Sequence, residues 1–285
     1  MRGGRAKTPR CPLQLYTMKP FILGALLLTI GLAPAARAQT KRTVYGSQLW
    51  PELQAELALP GNDYLFLAVR GQNETDNNNL ENSGRVLGFD VRRVTAGYEH
   101  FWSQHWSVGG TLGYVSAAKS YVLVPEVLLR HRSPIGPLTF GQRLSLERTF
   151  PSQTSATRQT NARLRVDLEK TLPLGPVALR PRLSYEALTR VRLLKSNTDP
   201  QERTVQFTSL RGEVGVRVND WVDFTPWLAY QTNYNFGLAQ TDANGNIVIP
   251  AGRVNSVAPV LGLELRFTLL QGSDAANRQQ LPTQH

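Results

Sequence analysis

The sequence predicts an all-β protein, an antiparallel up-and-down transmembrane β-barrel. Three observations support this fold class: a secretion signal near the N-terminus, an alternation of apolar and polar residues with a period of two, and a second strand face that is charged. A soluble β-sandwich would also alternate, and it would be favoured if the apolar faces packed against one another in two sheets. The charged face favours a barrel with a polar interior.

Residues 1–38 are interpreted as an N-terminal extension followed by a Sec signal peptide. Lys19 precedes the apolar run 21–32, and Ala36-Arg37-Ala38 matches an A-x-A cleavage site. The apolar run has about twelve residues, whereas a membrane-spanning helix needs about twenty. We expect the mature chain to begin near residue 39, whether synthesis starts at Met1 or at Met18.

Removal of this segment changes both the charge and the cysteine content. It carries six basic residues and no acid, so the formal net charge falls from +11 to +5, and it carries Cys11, the one cysteine of the sequence. The remaining arginines alternate with apolar residues and do not form a basic patch. Export and this spacing argue against a nucleic-acid partner.

The period of two begins near residue 48, and the barrel domain is predicted to span residues 39–270. The alternation defines eleven segments: 47–59, 63–72, 91–102, 105–117, 120–133, 137–149, 159–172, 176–189, 203–218, 222–236 and 254–270. Single-chain bacterial barrels usually have an even number of strands. We therefore predict twelve strands, with ten as the fallback, and expect a missed strand or a bulge at residues 85–90. The polar segment 271–285 is predicted to be a disordered tail.

The connections between these segments alternate in length. Short links lie at 60–62, 103–104, 134–137, 173–176 and 219–221, and long polar ones lie at 73–84, 151–158, 190–202 and 237–252. Bacterial barrels have tight periplasmic turns and longer outer loops. The short link near residues 117–119 departs from this alternation.

The short links predict which charged residues of the polar face lie opposite one another. A four-residue connection at 173–176 sets Glu169 opposite Arg180, Asp167 opposite Arg182 and Arg163 opposite Glu186; three-residue turns at 60–62 and 219–221 set Glu52 opposite Arg70 and Arg217 opposite Asp223. Opposite charges at such positions are favourable. The sequence therefore predicts a lumen with salt bridges, narrow or occluded and unlike that of a wide porin.

The end of the last segment resembles the C-terminal signal read by the barrel-assembly machinery. Gly262 is followed by the spaced apolar or aromatic residues Leu265 and Phe267, although a polar tail follows here, whereas the signal normally ends the chain. Aromatic residues near segment ends would suit membrane interfaces: Tyr98, Trp102, Trp106, Tyr121, Trp221, Tyr230 and Tyr234. The predicted location is the outer membrane of a Gram-negative bacterium, with lipid and the assembly machinery as partners. The oligomeric state is left open.

The pattern as a whole resembles the outer-membrane barrels of Domain of Unknown Function 2490, a family of Bacteroidetes-type bacteria. The motifs that carry this resemblance are Gln48-Leu49-Trp50-Pro51-Glu52 and Leu179-Arg180-Pro181-Arg182-Leu183-Ser184-Tyr185-Glu186, together with the Arg and Glu of the polar faces. The resemblance covers about residues 46–270. It implies an outer-membrane barrel and no known activity.

The sequence does not predict a catalytic, cofactor or metal site. His100 and His105 flank the turn at 103–104 and could share a site with Glu99, but polar turn residues are the better interpretation. His131 stands beside Ser133 without forming a recognisable nucleophile-base constellation. The oxygen-rich segments 73–79 and 242–246 are interpreted as polar surface loops and not as calcium loops.

Three functions remain open from the sequence alone. The first is a structural or interaction barrel with a salt-bridged lumen. The alternatives are a narrow channel or transporter for small polar solutes and, as a second alternative, an outer-membrane lipid hydrolase or acyltransferase.

Overall fold

The computed structural model describes residues 41–59, 63–74, 89–117, 119–153, 156–175, 177–191, 203–219, 221–237, 240–241, 247–249 and 252–270. The predicted signal segment 1–38 and tail 271–285 lie outside these residues, as do residues 75–79 and 242–246 of the two segments interpreted as polar surface loops. In the described part of the chain, no helix is long and apolar enough to cross a membrane.

The described strands are numbered in chain order. They are β1 (Lys41–Val44), β2 (Gln48–Leu59), β3 (Asp63–Glu74), β4 (Val91–Phe101), β5 (Trp106–Ala117), β6 (Ser120–Ile135), β7 (Leu138–Arg148), β8 (Phe150–Pro151), β9 (Thr160–Glu169), β10 (Leu172–Leu174), β11 (Val177–Arg190), β12 (Phe207–Arg217), β13 (Val222–Gly237), β14 (Gln240–Thr241), β15 (Ile247–Ile249) and β16 (Gly252–Leu270). Strands β14 and β15 pair with each other, apart from the main sheet.

Eleven of the described strands close into a ring in the order β2, β3, β4, β5, β6, β7, β9, β11, β12, β13, β16. Neighbours in the ring are antiparallel except at the seam, where β16 runs parallel to β2 and sets Leu261 beside Leu49. The predicted all-β barrel is confirmed, but the ring has eleven strands and not twelve or ten. The parallel seam follows from the odd number, because the first and last of eleven alternating strands point the same way. Barrels with an odd strand number are known.

In the described chain, no strand lies between β3 and β4, where a missed strand or a bulge at residues 85–90 was expected. Strands β3 and β4 are direct neighbours, with Gln72 opposite Val91. Of the expected segment, residues 85–88 lie outside the described chain, while the Asp90 amide donates to the Gln72 carbonyl at 2.9 Å. The eleven ring strands each overlap one of the eleven segments that the alternation defines.

The parallel seam extends beyond β2 because β1 also lies along β16. Lys41 pairs with Val254 and Val44 with Val257. Residues 45–47 then face only residues 258–259 before the pairing resumes at Gln48. Such an excess of one residue is a β-bulge, and it faces Pro259 of β16, which has no N–H to donate to the ladder.

The two faces of the ring have opposite polarity, and the polar face is the buried one. On β2, the side chains of Glu52 and Gln54 are 5% and 0% exposed, whereas Leu53 between them is 50% exposed. The same inversion recurs around the ring, with outward-facing Leu112, Leu228 and many other apolar residues exposed. A β-sandwich would bury these apolar faces between two sheets, so the sandwich alternative is wrong.

Two short turns are tighter than the sequence predicts. Gly175 has a φ of 63°, a left-handed conformation that glycine adopts without steric cost. It allows a two-residue turn, so Leu174 pairs with Val177 and the register between β9 and β11 differs by two residues from the prediction. Gly136, with a φ of 58°, does the same between Ile135 and Leu138. A shift of two preserves which face each side chain occupies.

Candidate functional site: the interior of the barrel

The half of the interior near the short turns is filled by ionised side chains, which we call the short-turn lattice. Its members are Glu56, Glu99, Arg130, Arg132, Asp167, Glu169, Arg180, Arg182, Glu213, Arg217, Asp223, Glu264 and Arg266. Arg266 Nη2 lies 2.7 Å from Glu264 Oε1, and its Nε lies 3.5 Å from Glu56 Oε1. None of these three residues is more than 1% exposed. Hydrogen-bonded, oppositely charged partners make such burial tolerable.

A second group in the lattice joins strands that are not neighbours. Arg130 on β6 donates to both carboxylate oxygens of Glu99 on β4, at 2.9 and 3.0 Å, and Ser107 on the intervening β5 donates to Glu99 at 2.5 Å. The contact is possible because the inward positions of β5 carry small side chains, including Gly109 and Gly113. Pairing rules for adjacent strands miss this contact, and the small residues at alternate positions of β5 were the available signal.

The lattice continues on β11, β12 and β13. Arg182 pairs with Glu213, which also lies 2.7 Å from Arg211 Nε. Asp223, 0% exposed, pairs with Arg180 and lies 3.6 Å from Arg217 Nε. Glu213 and Asp223 therefore each meet two guanidinium groups, so partners are shared in this part of the lattice.

Two of the five predicted pairs lie directly opposite each other. The register sets Glu52 opposite Arg70, with 3.9 Å between Glu52 Oε2 and Arg70 Nη1. It also sets Arg217 opposite Asp223. Both follow from connections of the predicted length; at the second, the Asn219 side-chain oxygen accepts hydrogen bonds from the amides of residues 221 and 222.

The other three predicted pairs fall in the β9–β11 hairpin, whose register corrects them. Glu169 lies opposite Arg182, at 3.8 Å, instead of opposite Arg180. Asp167 lies opposite Ser184, and its carboxylate is 3.8 Å from Arg132 Nη1. Both partners differ from the prediction because the two-residue turn at Gly175 shifts the register of β9 against β11 by two residues.

Arg163 and Glu186, the last predicted pair, still form an ion pair in this hairpin, although they lie diagonally and not opposite. In the register, Glu186 faces Arg165 and Arg163 faces Leu188. Arg163 Nη2 also contacts Glu147 on β7 at 3.0 Å. Arg163 therefore bridges carboxylates on both neighbouring strands.

The other half of the interior, near the long connections, contains a cavity of about 380 Å³. Its charged and aromatic lining consists of Trp50, Glu52, Phe66, Arg70, Arg93, Glu126, Arg143, Glu147, Arg163, Arg165, Glu186, Arg190, Phe207, Arg211 and Trp227. Trp50 and Trp227 meet edge to face, with 6.0 Å between ring centres. The guanidinium groups of Arg70 and Arg211 lie 4.8 and 4.1 Å from the centres of these two rings, respectively, within cation-π distance.

Gly262 has a structural reason to be glycine that the assembly-signal interpretation did not foresee. It lies opposite Trp227 on β13 and beside Trp50 on β2. A Cβ atom at residue 262 would come within 1.8 Å of the Trp227 indole. The other two residues of the predicted signal, Leu265 and Phe267, alternate with buried Glu264 and Arg266, which places them on the outward face of β16.

The candidate catalytic residues do not come together. His100 Nδ1 lies 2.5 Å from Asp63 Oδ1 and His105 Nδ1 lies 2.9 Å from the Arg132 carbonyl oxygen, while Glu99 points into the lumen. His131 packs against Trp106, with 4.5 Å between ring centres. Among the described residues, no serine hydroxyl bonds to a histidine ring, and no group of three or more His, Cys, Asp or Glu could hold a metal ion.

Comparisons with known proteins add little to this geometry. No protein-family model matches the chain, and no curated protein matches it. Among solved structures, the NanC porin in a rhombohedral crystal form aligns with 76% of this chain and 91% of its own, at 10% sequence identity and a TM-score of 0.39. A likeness at that level transfers neither fold nor function, so the architecture rests on the strand pairing described above.

Proposed function

We propose that this chain is an outer-membrane β-barrel of a Gram-negative bacterium that serves as a structural or interaction barrel, closed to free diffusion. The observation that carries the proposal is the short-turn lattice, in which Glu99, Asp223, Glu264 and Arg266 are at most 1% exposed. Ion pairs between strands one and two positions apart in the ring occupy the space where an open porin would have a water-filled channel.

The outward face supports placement in a membrane. It is apolar around the ring, and aromatic side chains occur near both ends of the strands. Trp102 and Trp106 stack near the short turns, with 6.2 Å between ring centres, and Tyr114 and Tyr121 stack near the opposite end at 5.5 Å. Transmembrane barrels have an apolar band flanked by two such aromatic girdles.

Cell fractionation tests the location. Expressed in a Gram-negative host, the full chain should collect in the outer membrane and migrate faster on gels when unheated than when boiled. Leu228, outward-facing and 56% exposed, provides the variant: Leu228→Arg should reduce the inserted fraction, since a lipid-facing arginine near the bilayer centre costs about 2–4 kcal/mol. Recovery of wild-type chain in the periplasm as a folded soluble protein contradicts the proposal.

Planar-bilayer conductance tests the closure. The wild-type chain, extracted from membranes, should insert without the steady, large steps of an open pore. The double variant Glu99→Ala/Arg130→Ala removes both members of one lattice pair and should produce steps, while outward-facing Leu112→Ala serves as the matched control. Steady wild-type steps that match those of the double variant would show that the lattice does not close the barrel.

A narrow channel for small polar solutes is the second candidate, because the cavity gives one half of the interior room for a solute. Passage would then require the lattice to rearrange, and solute-dependent current in the wild type would distinguish this function. We propose no catalysis. The proposal also includes the family and the route of assembly. We assign the chain to Domain of Unknown Function 2490 on the sequence motifs of β2 and β11. We propose that the assembly machinery recognises residues 261–267 on the motif of β16.

A further inference from the structure

We propose that the cavity in the long-connection half of the barrel binds a small oxyanion, a solute carrying a carboxylate or phosphate group. Two arginine pairs would hold it: Arg70 with Arg93, and Arg143 with Arg165. The inference goes beyond the proposed structural role. It does not depend on whether any solute crosses the barrel.

The first observation is the charge of the cavity wall. The described lining contains seven arginines and four glutamates: Arg70, Arg93, Arg143, Arg163, Arg165, Arg190 and Arg211 against Glu52, Glu126, Glu147 and Glu186. Excess positive charge in a half-enclosed site with low-dielectric walls raises the local concentration of anions. Arg211 is also held by Glu213 and Glu264 of the short-turn lattice, but the remaining six arginines still outnumber the four glutamates, so the lining favours an anionic over a neutral or cationic solute.

The second observation is the register of the arginine pairs. Arg70 on β3 lies directly opposite Arg93 on β4, and Arg143 on β7 lies directly opposite Arg165 on β9. Like charges at directly opposed positions are destabilising. Two such pairs line one cavity. In each, one arginine already has a carboxylate: Arg70 lies 3.9 Å from Glu52, and Arg143 Nη2 donates to both oxygens of Glu126 at 2.8 and 2.9 Å. An anion between the pairs would supply a partner to the other two, Arg93 and Arg165.

The third observation concerns Arg165, which is only 3% exposed. It forms no hydrogen bond or ion pair with another described residue, and its Nη2 atom is buried without a partner. The two carboxylates that attract it, Asp167 and Glu186, each lie within ion-pair distance of another arginine, Arg132 and Arg163 respectively. A buried guanidinium group without its own partner is costly, and a bound oxyanion would supply one.

Arg93, on the other side of the cavity, also lacks an ion-pair partner among the described residues. Its Nε donates to Thr95 Oγ1, a neutral partner on its own strand, at 3.3 Å. Its Nη2 extends over Gly113 of β5, at 3.6 Å from the position that a Cβ there would take. In the described residues it forms no ion pair: Arg163 repels it, and Glu147, Glu126 and Glu52 attract it only from beyond ion-pair distance. Guanidinium groups bind carboxylate and phosphate oxygens in paired hydrogen bonds.

The size of the cavity limits the solute. A volume of about 380 Å³ lies near the lower end of small-molecule sites. Inorganic phosphate and short dicarboxylates such as succinate both fit this class, and they share the oxyanion that the arginines would recognise.

Calorimetric titration of the folded full chain in detergent tests the inference. The probes are inorganic phosphate and succinate, with putrescine as a cationic control of succinate's size. At low salt we expect phosphate, succinate or both to bind, with affinity that falls as sodium chloride is added, and putrescine not to bind. Arg165→Gln should weaken binding at least about tenfold, the effect of about 1.4 kcal/mol.

Arg92→Gln is the matched control. Arg92 precedes Arg93 on β4, faces outward and is exposed, so the substitution removes one positive charge without changing the cavity lining. Its affinity should equal that of the wild type. If Arg165→Gln does not fold, as judged by circular dichroism, Arg93→Gln takes its place with the same expectation. Absence of binding by the folded wild type, or equal loss in Arg92→Gln, overturns the inference. Neither result bears on the conductance test.

Discussion

The two halves of the barrel interior use the same residue types but match their charges differently. Among the described residues, the short-turn lattice combines six arginines with seven carboxylates. The cavity wall has seven arginines but four glutamates, and without Arg211, which pairs with the lattice residues Glu213 and Glu264, the arginines still outnumber the glutamates six to four. In the lattice Arg266 lies between two buried glutamates, whereas in the cavity Arg165 forms no ion pair, because Glu186, which lies opposite it, pairs with Arg163.

Buried charges that are matched by partners and buried charges that are not have different roles in this barrel. A matched network can be excluded from water, because each desolvated group recovers part of its hydration energy from partners. An unmatched group stays costly until water or a ligand reaches it. The lattice is thus suited to hold and close the ring, and the cavity wall is suited to bind something that the chain does not provide.

The largest expected effect comes from reversing a charge inside the lattice. Arg182→Glu places a third carboxylate beside Glu213 and Glu169, and should destabilise the barrel by more than the about 3–5 kcal/mol typical of removing one buried partner. Adding Glu213→Arg should restore part of the folded yield, measured by heat-dependent gel mobility after refolding into vesicles. Adding Asp167→Arg, the partner that the sequence predicts, should restore less. Better rescue by Asp167→Arg contradicts the register of the β9–β11 hairpin.

Neutral removal of a lattice residue should have the next largest effect. Arg266→Met leaves Glu56 and Glu264 without their shared partner, at an expected cost of about 3–5 kcal/mol in the free energy of unfolding. The control is Arg217→Met, whose side chain is 34% exposed and whose partner Asp223 retains Arg180. It should cost less than about 1 kcal/mol. Urea titration in vesicles measures both. Equal losses would show that burial and sole partnership do not set the cost of losing a lattice arginine.

The sequence predicts the ring strands well because alternation is a local property. Each side chain's face follows from its position along one strand, so Glu52 and Leu53 can be assigned to opposite faces without knowledge of any partner. The parity rule then misled the strand count, since it describes how barrels usually close and no residue in the chain encodes it. The parallel seam depends on contacts between Gln48 and Val260, far apart in sequence.

Pairing of charges could be predicted only where turn length was certain. A three-residue turn sets Glu52 opposite Arg70. The proline-glycine turn at residues 173–176 can instead contain four residues or two. With four residues Arg182 would lie opposite Asp167, and with the observed two it lies opposite Glu169. Contacts across a third strand, such as Glu99 with Arg130, lie beyond any rule for neighbours. The unmatched arginines follow from the same long-range geometry, and so the cavity could not be predicted.

A smaller effect is expected at Gly262, near the Trp50–Trp227 pair that lines the cavity. Gly262→Ala brings a methyl group within 1.8 Å of the Trp227 indole, so the ring must move, at an expected cost of about 1–3 kcal/mol. Gly212→Ala is the control, because a Cβ there meets nothing within 4 Å. Adding Trp227→Ala should remove most of the penalty. An unchanged unfolding free energy in Gly262→Ala would show that the indole does not lie over this glycine.

The smallest expected effect is the change in stability caused by Arg165→Gln. It distinguishes the cavity from the lattice most clearly, because the stability difference from the wild type depends on whether phosphate is present. In buffer without phosphate, Arg165→Gln should leave the free energy of unfolding within about 0.5 kcal/mol of the wild type or raise it, since the substitution removes a buried charge without orphaning a carboxylate. Added phosphate should stabilise the wild type in proportion to the logarithm of its concentration above the dissociation constant, and the variant far less. Arg266→Met, in the lattice, should keep its deficit at every phosphate concentration. A phosphate response that is the same in wild type and Arg165→Gln would mean that the charge excess of the cavity wall is balanced by hydration alone.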